Sequence, residues 1–481
     1  MRRAALALAL LFLAAPHAAA GEGGVPETAG VIHVHSDWSS GVYSPGELAV
    51  RCRDLGLSFM ILTDHDLVRV EYGLWPFEKW VRKREERKSV MKDGTRAWLA
   101  AVEAAGRENP GVLVVPGVQS SPFYYWTGRP WSGLTVHDLR KEILVAGMTR
   151  PEDYENLPRL HGRLSLRWTG RLWPVSLVYA GALALGLALY FRGRRYARRG
   201  LRLLGGAAAV LSILFLIHNH PFASLPWDAY NGPQGEAPYQ AFLDAAGEAG
   251  ALTFWAHPES LYAQGGRDAG PVVMRTEPHP EVLADTTGFT GFSAVYGDTA
   301  LAHEPGRDWD RALMQYVEGR RDSPPWAIAG ADFHGNRANE SLDGFQTVIP
   351  GRVSSREELL FALKNGRMYA VRKTGAWRLA LAGFFVSATN GMGLASLGET
   401  LGATGEAAVS GVVTASDHGA YPVEVTVVKN GRERMRQKGV TPFSFFLADP
   451  VEPGKSYYRV LVQGPGGNRL VGNPVFVEGA P

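Results

Sequence analysis

His33 and His35 stand two residues apart in GVIHVHS, and Asp332 and His334 stand two apart in PWAIAGADFH. Between them in the chain come Asp64, His65 and Asp66 in SFMILTDHD, and His257 in ALTFWAHP. Side chains at i and i+2 of a strand point to one side, so each pair predicts two groups projecting together from a strand end. A lone histidine in such a place is ordinarily a hydrogen-bonded structural residue. Five imidazoles and a carboxylate at equivalent positions reverse that reading. Imidazole nitrogens and carboxylate oxygens without thiolates form the donor set of a divalent ion such as Zn²⁺, Mn²⁺ or Fe²⁺. Two or more ions are expected, because paired ions lower the pKa of a bridging water and clamp a phosphoryl group during in-line attack. Asp64 and Asp66 are candidates to fix the ring tautomers from behind. His137, His161, His218, His220, His279 and His303 lack this context and are read as surface or loop residues, with His220 in HNHPF the strongest exception.

These side chains need elements that bring them to one edge. Seven short apolar runs precede residue 335: the four segments' partners GVLVVPGVQ, KEILVAG and GFSAVYG join GVIHVHS, SFMILTDHD, ALTFWAHP and PWAIAGADFH. Helix-like stretches, including residues 45–55 and 78–108, separate most of them. Alternation of this kind predicts a parallel α/β sheet or barrel, in which functional residues gather at the C-terminal ends of the strands. From about Gly375 the pattern changes to short alternating strands, with Val423, Val425 and Val427 running into an Asn430-Gly431 turn. Residues 375–481 are therefore expected to form an immunoglobulin-like β-sandwich.

Two further features concern the membrane. Arg2 and Arg3, the apolar run 4–15 and the small residues Ala18 and Ala20 read as a signal peptide over residues 1–20. Apolar stretches at 175–191 and 203–217 flank RGRRYARRGLR, whose six arginines are what a cytoplasmic connector carries. A transmembrane hairpin over 173–218 is expected, with Arg202 snorkelling towards the head groups. It splits the barrel into parts at 21–172 and 219–374. Both soluble parts then lie on the periplasmic or extracellular side of the cytoplasmic membrane. The basic run is thereby explained, and no nucleic-acid binding is predicted for a chain of net charge +3. The single cysteine, Cys52, excludes an internal disulfide framework and a multi-cysteine zinc site.

HVHS at 33–36, LTDHD at 62–66, AHP at 256–258 and ADFH at 331–334 resemble the motifs of the polymerase and histidinol phosphatase (PHP) family. The likeness spans roughly residues 30–374, interrupted by the hairpin, and extends to a membrane-inserted subgroup in which PFYYWTG, at 122–128, follows the third strand. The resemblance implies a distorted seven-stranded (β/α) barrel holding up to three divalent ions and hydrolysing phosphate mono- or diesters. It implies His33, His35, His65, Gln119, Glu142, His257, Asp332 and His334 as metal ligands, with His65, His257 and Asp332 serving catalysis directly. Three positions depart from the pattern: Gln119 stands where a metal-bridging glutamate is usual, Glu142 where a histidine is frequent, and Ser40 where an aspartate commonly precedes Gly41.

The leading expectation is a phosphoesterase using metal-bound hydroxide on a phosphorylated small molecule or phosphodiester, with one to three Zn, Mn or Fe ions. A PHP-like binding or sensing module with weak or no turnover is the alternative, set by Gln119, Glu142 and Ser40. Amidohydrolase chemistry is less favoured, because a metal-bridging lysine has no candidate at a strand end. Phe123, Tyr124, Tyr125, Trp126 and Trp131 could cover a substrate, rest at the membrane interface or pack in the core.

Overall fold

The computed structural model describes residues 26–261, 267–269, 272–338, 340–388 and 393–480. The expected signal peptide lies outside the described residues. Seven strands carry the sequence motifs: β1 (Glu27–Val34), β2 (Phe59–His65), β3 (Leu113–Ser120), β4 (Ile143–Ala146), β5 (Leu252–Trp255), β6 (Gly291–Val295) and β7 (Trp326–Ala329). They are sheet neighbours in chain order. The result is a mixed α/β fold with a curled, half-barrel sheet. Beyond β7 the chain returns beside β1, where Val34 and Phe333 form a parallel bridge and the His35 amide donates to the Phe333 carbonyl at 2.9 Å.

The strands from β2 to β7 are buried almost throughout, which is why they read as continuous apolar runs rather than alternating ones. Helices cover their outer face. Pro45–Asp54 starts with a capping box in which Ser44 and Glu47 satisfy each other's backbone amides. Thr95–Glu108 lays Trp98, Leu99, Val102 and Ala105 against the sheet, the 3–4 spacing of an amphipathic face.

The sheet differs from the expected parallel arrangement at β4, which runs antiparallel to both β3 and β5. This reversal puts Glu142, just before the start of β4, at the same edge as the ends of β3 and β5. The charged stretch 78–108 also differs from a helix in its first part. Arg82–Glu86 pairs antiparallel with Arg69–Gly73, because the buried Glu71 carboxylate accepts from Arg82 at 2.6 Å and from Arg84 at 2.7 Å, two alternate residues of the facing strand. Residue alternation thereby outweighs helical charge pairing.

On its other side β1 pairs with Phe345–Pro350, and the same sheet continues through Tyr369–Arg372 into Arg469–Gly472 and the C-terminal strands. No break in the sheet marks residue 375. A second sheet, with Leu379–Ala388 and Glu406–Ala415 at its centre and Phe443–Pro450 at one edge, faces this extension. Val386, Val409 and Phe445 meet Val427, Val460 and Val477 in one apolar cluster between them. The Asn430-Gly431 turn has positive φ at both residues, as a two-residue hairpin requires. One buried ion pair ties the two regions together: Asp310, on the helix Asp308–Val317, accepts from Arg459 at 2.6 and 2.8 Å and from the Tyr457 hydroxyl at 2.6 Å.

Two helices, Thr169–Arg195 and Arg199–His218, are long and apolar enough to cross a membrane, and they pack on each other. At 27 and 20 residues they measure about 40 and about 30 Å. Small residues allow the close approach: a Cβ on Gly205 would lie 2.3 Å from the Tyr190 amide, and one on Gly186 2.7 Å from that of Ala209. Most of their apolar surface is exposed.

Arg459→Met strands a buried carboxylate and is expected to cost about 3–5 kcal/mol. Thermal unfolding of the purified full chain in detergent measures this, and the added substitution Asp310→Asn, which keeps an acceptor for the Tyr457 hydroxyl without the charge, should recover part of the loss. A single variant that melts like the parent would show that the pair does not join the two regions.

Candidate metal centre

β1 delivers its two histidines by an irregularity. The β1–β2 register shifts between Ile32 and Val34, and His33 at that shift has φ of 73°. His35 lies beyond the strand end. Simple strand alternation therefore does not place this pair; a bulge re-aims it. Asp332, across the β1–β7 seam, has φ of 47°, and the Phe333 amide donates to the His33 carbonyl at 3.2 Å. Two non-glycine residues in the left-handed region, each costing of order 1–3 kcal/mol, face each other at the one place where side chains converge.

The convergence consists of two groups. Ligand atoms of His33, His257 and Asp332 lie within 4.8 Å of one another, and so do those of His35, His65 and His334. Both i, i+2 pairs are split between the groups rather than sharing one. Asp332 stands between them, its Oδ1 3.2 Å from His33 Nε2 and 3.6 Å from His35 Nε2. Glu142 spans them on the other side, with Oε2 3.3 Å from His257 Nε2 and Oε1 4.0 Å from His65 Nδ1. Gln119, the register partner of His65, has its Oε1 2.9 Å from His33 Nε2. All eight residues singled out as ligands thus lie at one sheet edge.

Burial sets the charges. It pulls His33 down to about 4 and His35 well below the ordinary imidazole range, against the raising effect of Asp332 on each. His334 is lowered for the same reason. Burial also opposes the ionised carboxylates, but the histidine partners outweigh it: Glu142 falls to about 2 and Asp332 falls well below the usual aspartate value. His257 is raised, because the hydrogen bond and charge of Glu142 exceed the desolvation that would lower it. The centre therefore presents imidazoles beside two ionised carboxylates. His35 Nε2 and His334 Nδ1 are buried and have no hydrogen-bond partner. Lone pairs in that position cost free energy unless something accepts them, and a cation does. The donor set fits a divalent ion.

The surroundings depart from expectation in several ways. Neither Asp64 nor Asp66 touches an imidazole. Asp64 accepts from the Ser36 amide at 2.7 Å, the Ser36 and Ser39 hydroxyls at 2.6 Å each, and Trp98 Nε1 at 3.0 Å. It reaches His35 through Ser39, whose hydroxyl lies 3.4 Å from His35 Nδ1. Burial raises the Asp64 pKa against these four hydrogen bonds. Asp66 instead holds Arg159 at 2.7 Å, both groups buried. Gly41 is needed where it stands, since a Cβ there would fall 2.1 Å from the His35 carbonyl; Ser40 is not among the converging atoms. His218, His279 and His303 are buried, not surface residues: Lys79 contacts the first, Trp255 the second and Arg469 the third. His220 lies against Phe222, away from the centre. Phe123, Tyr124 and Trp126 are buried in cores, Tyr125 stacks on His137, and Trp131 is exposed.

Sequence reasoning missed Ser39, Trp98, Arg337 and Glu340. Arg337 donates to Asp332 Oδ2 at 2.9 Å, and the Glu340 carboxylate accepts from the His334 and Gly335 amides at 2.6 and 2.8 Å. The cluster GNR after ADFH was the available signal, but only the loop's turn brings it to the centre.

No protein-family model and no curated protein matches the chain. Among solved structures it is similar to a protein from Bifidobacterium adolescentis described as a metal-dependent phosphoesterase, at 16% identity and a TM-score of 0.30, over 70% of this chain and 96% of the other. A two-domain protein from Bacteroides vulgatus, described as containing a PHP-like metal-dependent phosphoesterase, aligns at 10% identity and a TM-score of 0.36 over 91% of each chain. An amidohydrolase from Chromobacterium violaceum, with bound sulfate and no metal, aligns at 16% identity and a TM-score of 0.28, over 72% of this chain and 98% of that one.

Glu142→Ala is expected to weaken metal binding about 10–100-fold and more than Gln119→Ala does, because it removes a charge that spans both groups. Elemental analysis after dialysis against limiting metal reads this directly. Equal metal content in the two variants would show that Glu142 does not replace the missing glutamate.

Proposed function

We propose that this chain is a metal-dependent phosphoesterase anchored in the cytoplasmic membrane with its site on the outer side. The observation that carries the reading is the pair of three-residue groups joined by Asp332, in which His35 Nε2 and His334 Nδ1 are buried without a hydrogen-bond partner. Divalent ions bound there would activate water and neutralise charge on a phosphoryl group. His33, His35 and His334 are kept neutral by burial and so remain free to ligate. Asp332 and Glu142 bring two negative charges and Gln119 brings none. Two divalent cations would then leave the centre positive, the complement of an anionic phosphoryl group. Arg337, part-exposed beside Asp332, adds a donor fork suited to phosphate oxygens at the mouth.

The exposed apolar surface of the two long helices supports the membrane reading, since a core hairpin of a soluble protein would bury it. The arginine-rich connector between them supports a cytoplasmic turn. We read the C-terminal two-sheet region as immunoglobulin-like, acting as packing support for the first sheet. The neutral Gln119 near His33 keeps a binding or sensing role as the second reading.

Purified full chain loaded with Mn²⁺ or Zn²⁺ should hydrolyse an aryl phosphate monoester, with chelator abolishing turnover and Asp332→Ala lowering it about 100-fold or more. A metal-replete protein without chelator-sensitive turnover would move the assignment to the binding role. Reporters fused after residue 481 and within the 196–198 connector should report opposite sides of the membrane; the same side for both would refute the hairpin.

A further inference from the structure

The edge that carries the metal ligands is also the edge from which the membrane hairpin leaves. Asp66 follows His65 directly and holds Arg159, ten residues before the first long helix. The return segment lies beside it: Ser224 Oγ accepts from the Arg159 amide at 3.2 Å, and the Ser165 amide donates to the Phe222 carbonyl at 3.1 Å. From this same edge rises the ribbon Arg69–Gly73 and Arg82–Glu86. Its tip packs on the end of the second long helix, with Phe77 stacked on Phe215 at 5.2 Å and Lys79 Nζ donating to the His218 carbonyl at 2.6 Å. Beside that contact the tip exposes Leu74, Trp75, Trp80 and Val81, Trp75 being 85% exposed. Large apolar and indole side chains beside a helix end are the composition of a membrane-interface belt. At the metal centre His33 and His35 are sealed, whereas Asp332 is 26% and Arg337 42% exposed.

We propose that the substrate is a phosphate monoester on the head group of a membrane lipid, presented to the centre from the bilayer over the tip 74–81. This rests on the phosphoesterase reading above. In the reaction the oxygen of water bonds to phosphorus and the head group's C–O–P linkage breaks at the P–O bond. The released head-group oxygen takes a proton from that water, giving a hydroxyl lipid and hydrogen phosphate.

The test uses full chain reconstituted in phosphatidylcholine vesicles. Phosphatidylinositol 4-phosphate in those vesicles is compared with its deacylated, water-soluble head group, and an aryl phosphate serves as control. The expected result is at least about tenfold higher kcat/KM on the lipid, lost in Leu74→Asn/Trp75→Asn while both soluble substrates keep their rates. A nitroxide at Trp75→Cys, attached while Cys52 stays buried, should be relaxed more by oxygen than by a nickel chelate. Equal rates on lipid and head group, or a label relaxed mainly by nickel, overturn the proposal and leave the phosphoesterase reading intact. Failure on all three substrates, aryl phosphate included, removes both.

Discussion

Packing five imidazoles around two ionised carboxylates at one sheet edge is the constraint on which this structure depends. Burial of polar groups without partners costs free energy, and here two ring nitrogens are buried without one. The protein meets part of that cost internally. Asp332 and Glu142 hold their charge against burial because histidines face them, and His257 gains basicity from Glu142 in return. What is left over is a set of donors with no acceptor, which is the condition for binding a cation rather than merely tolerating one.

The backbone is bent to serve the same edge. His33 and Asp332 occupy left-handed conformations on either side of the β1–β7 seam. The bulge at His33 separates it from His35, so that a His-x-His motif supplies one ligand to each of two groups. Reversal of β4 brings Glu142 alongside His65 and His257. A parallel β4 would send that carboxylate to the opposite edge.

The remaining regions support this edge from three directions. Asp64 holds the loop after β1 through Ser36 and Ser39, and Trp98 fixes Asp64 from the covering helix. The C-terminal strands extend the first sheet and, with a second sheet, enclose an apolar cluster of their own, and the Asp310–Arg459 pair locks helix 308–317 to them. The segments leading to the long helices and the ribbon 69–86 leave from the same strand ends, through Asp66 and Arg159.

Much of this was legible in the residues. Strand positions follow from apolar runs with little ambiguity, and the ligand types follow from which residues end those runs, because imidazole and carboxylate chemistry belongs to the side chain wherever it is placed. The apolar character of the two long helices is likewise a property of composition. Pairing direction, register and turn geometry are different, since they depend on contacts between segments far apart in the chain. Nothing in KEILVAG encodes that it runs antiparallel, nothing in HVHS shows a bulge, and nothing in RVEYG and RKREE shows that Glu71 draws Arg82 and Arg84 across a ribbon. Asp64 could be named as a supporting residue from its position, but its partners Ser39 and Trp98 are set by packing. Which chemical groups are available, and roughly which elements bear them, is written in the residues; how those groups divide into two around Asp332 is not, because long-range pairing at the β1–β7 seam fixes that division.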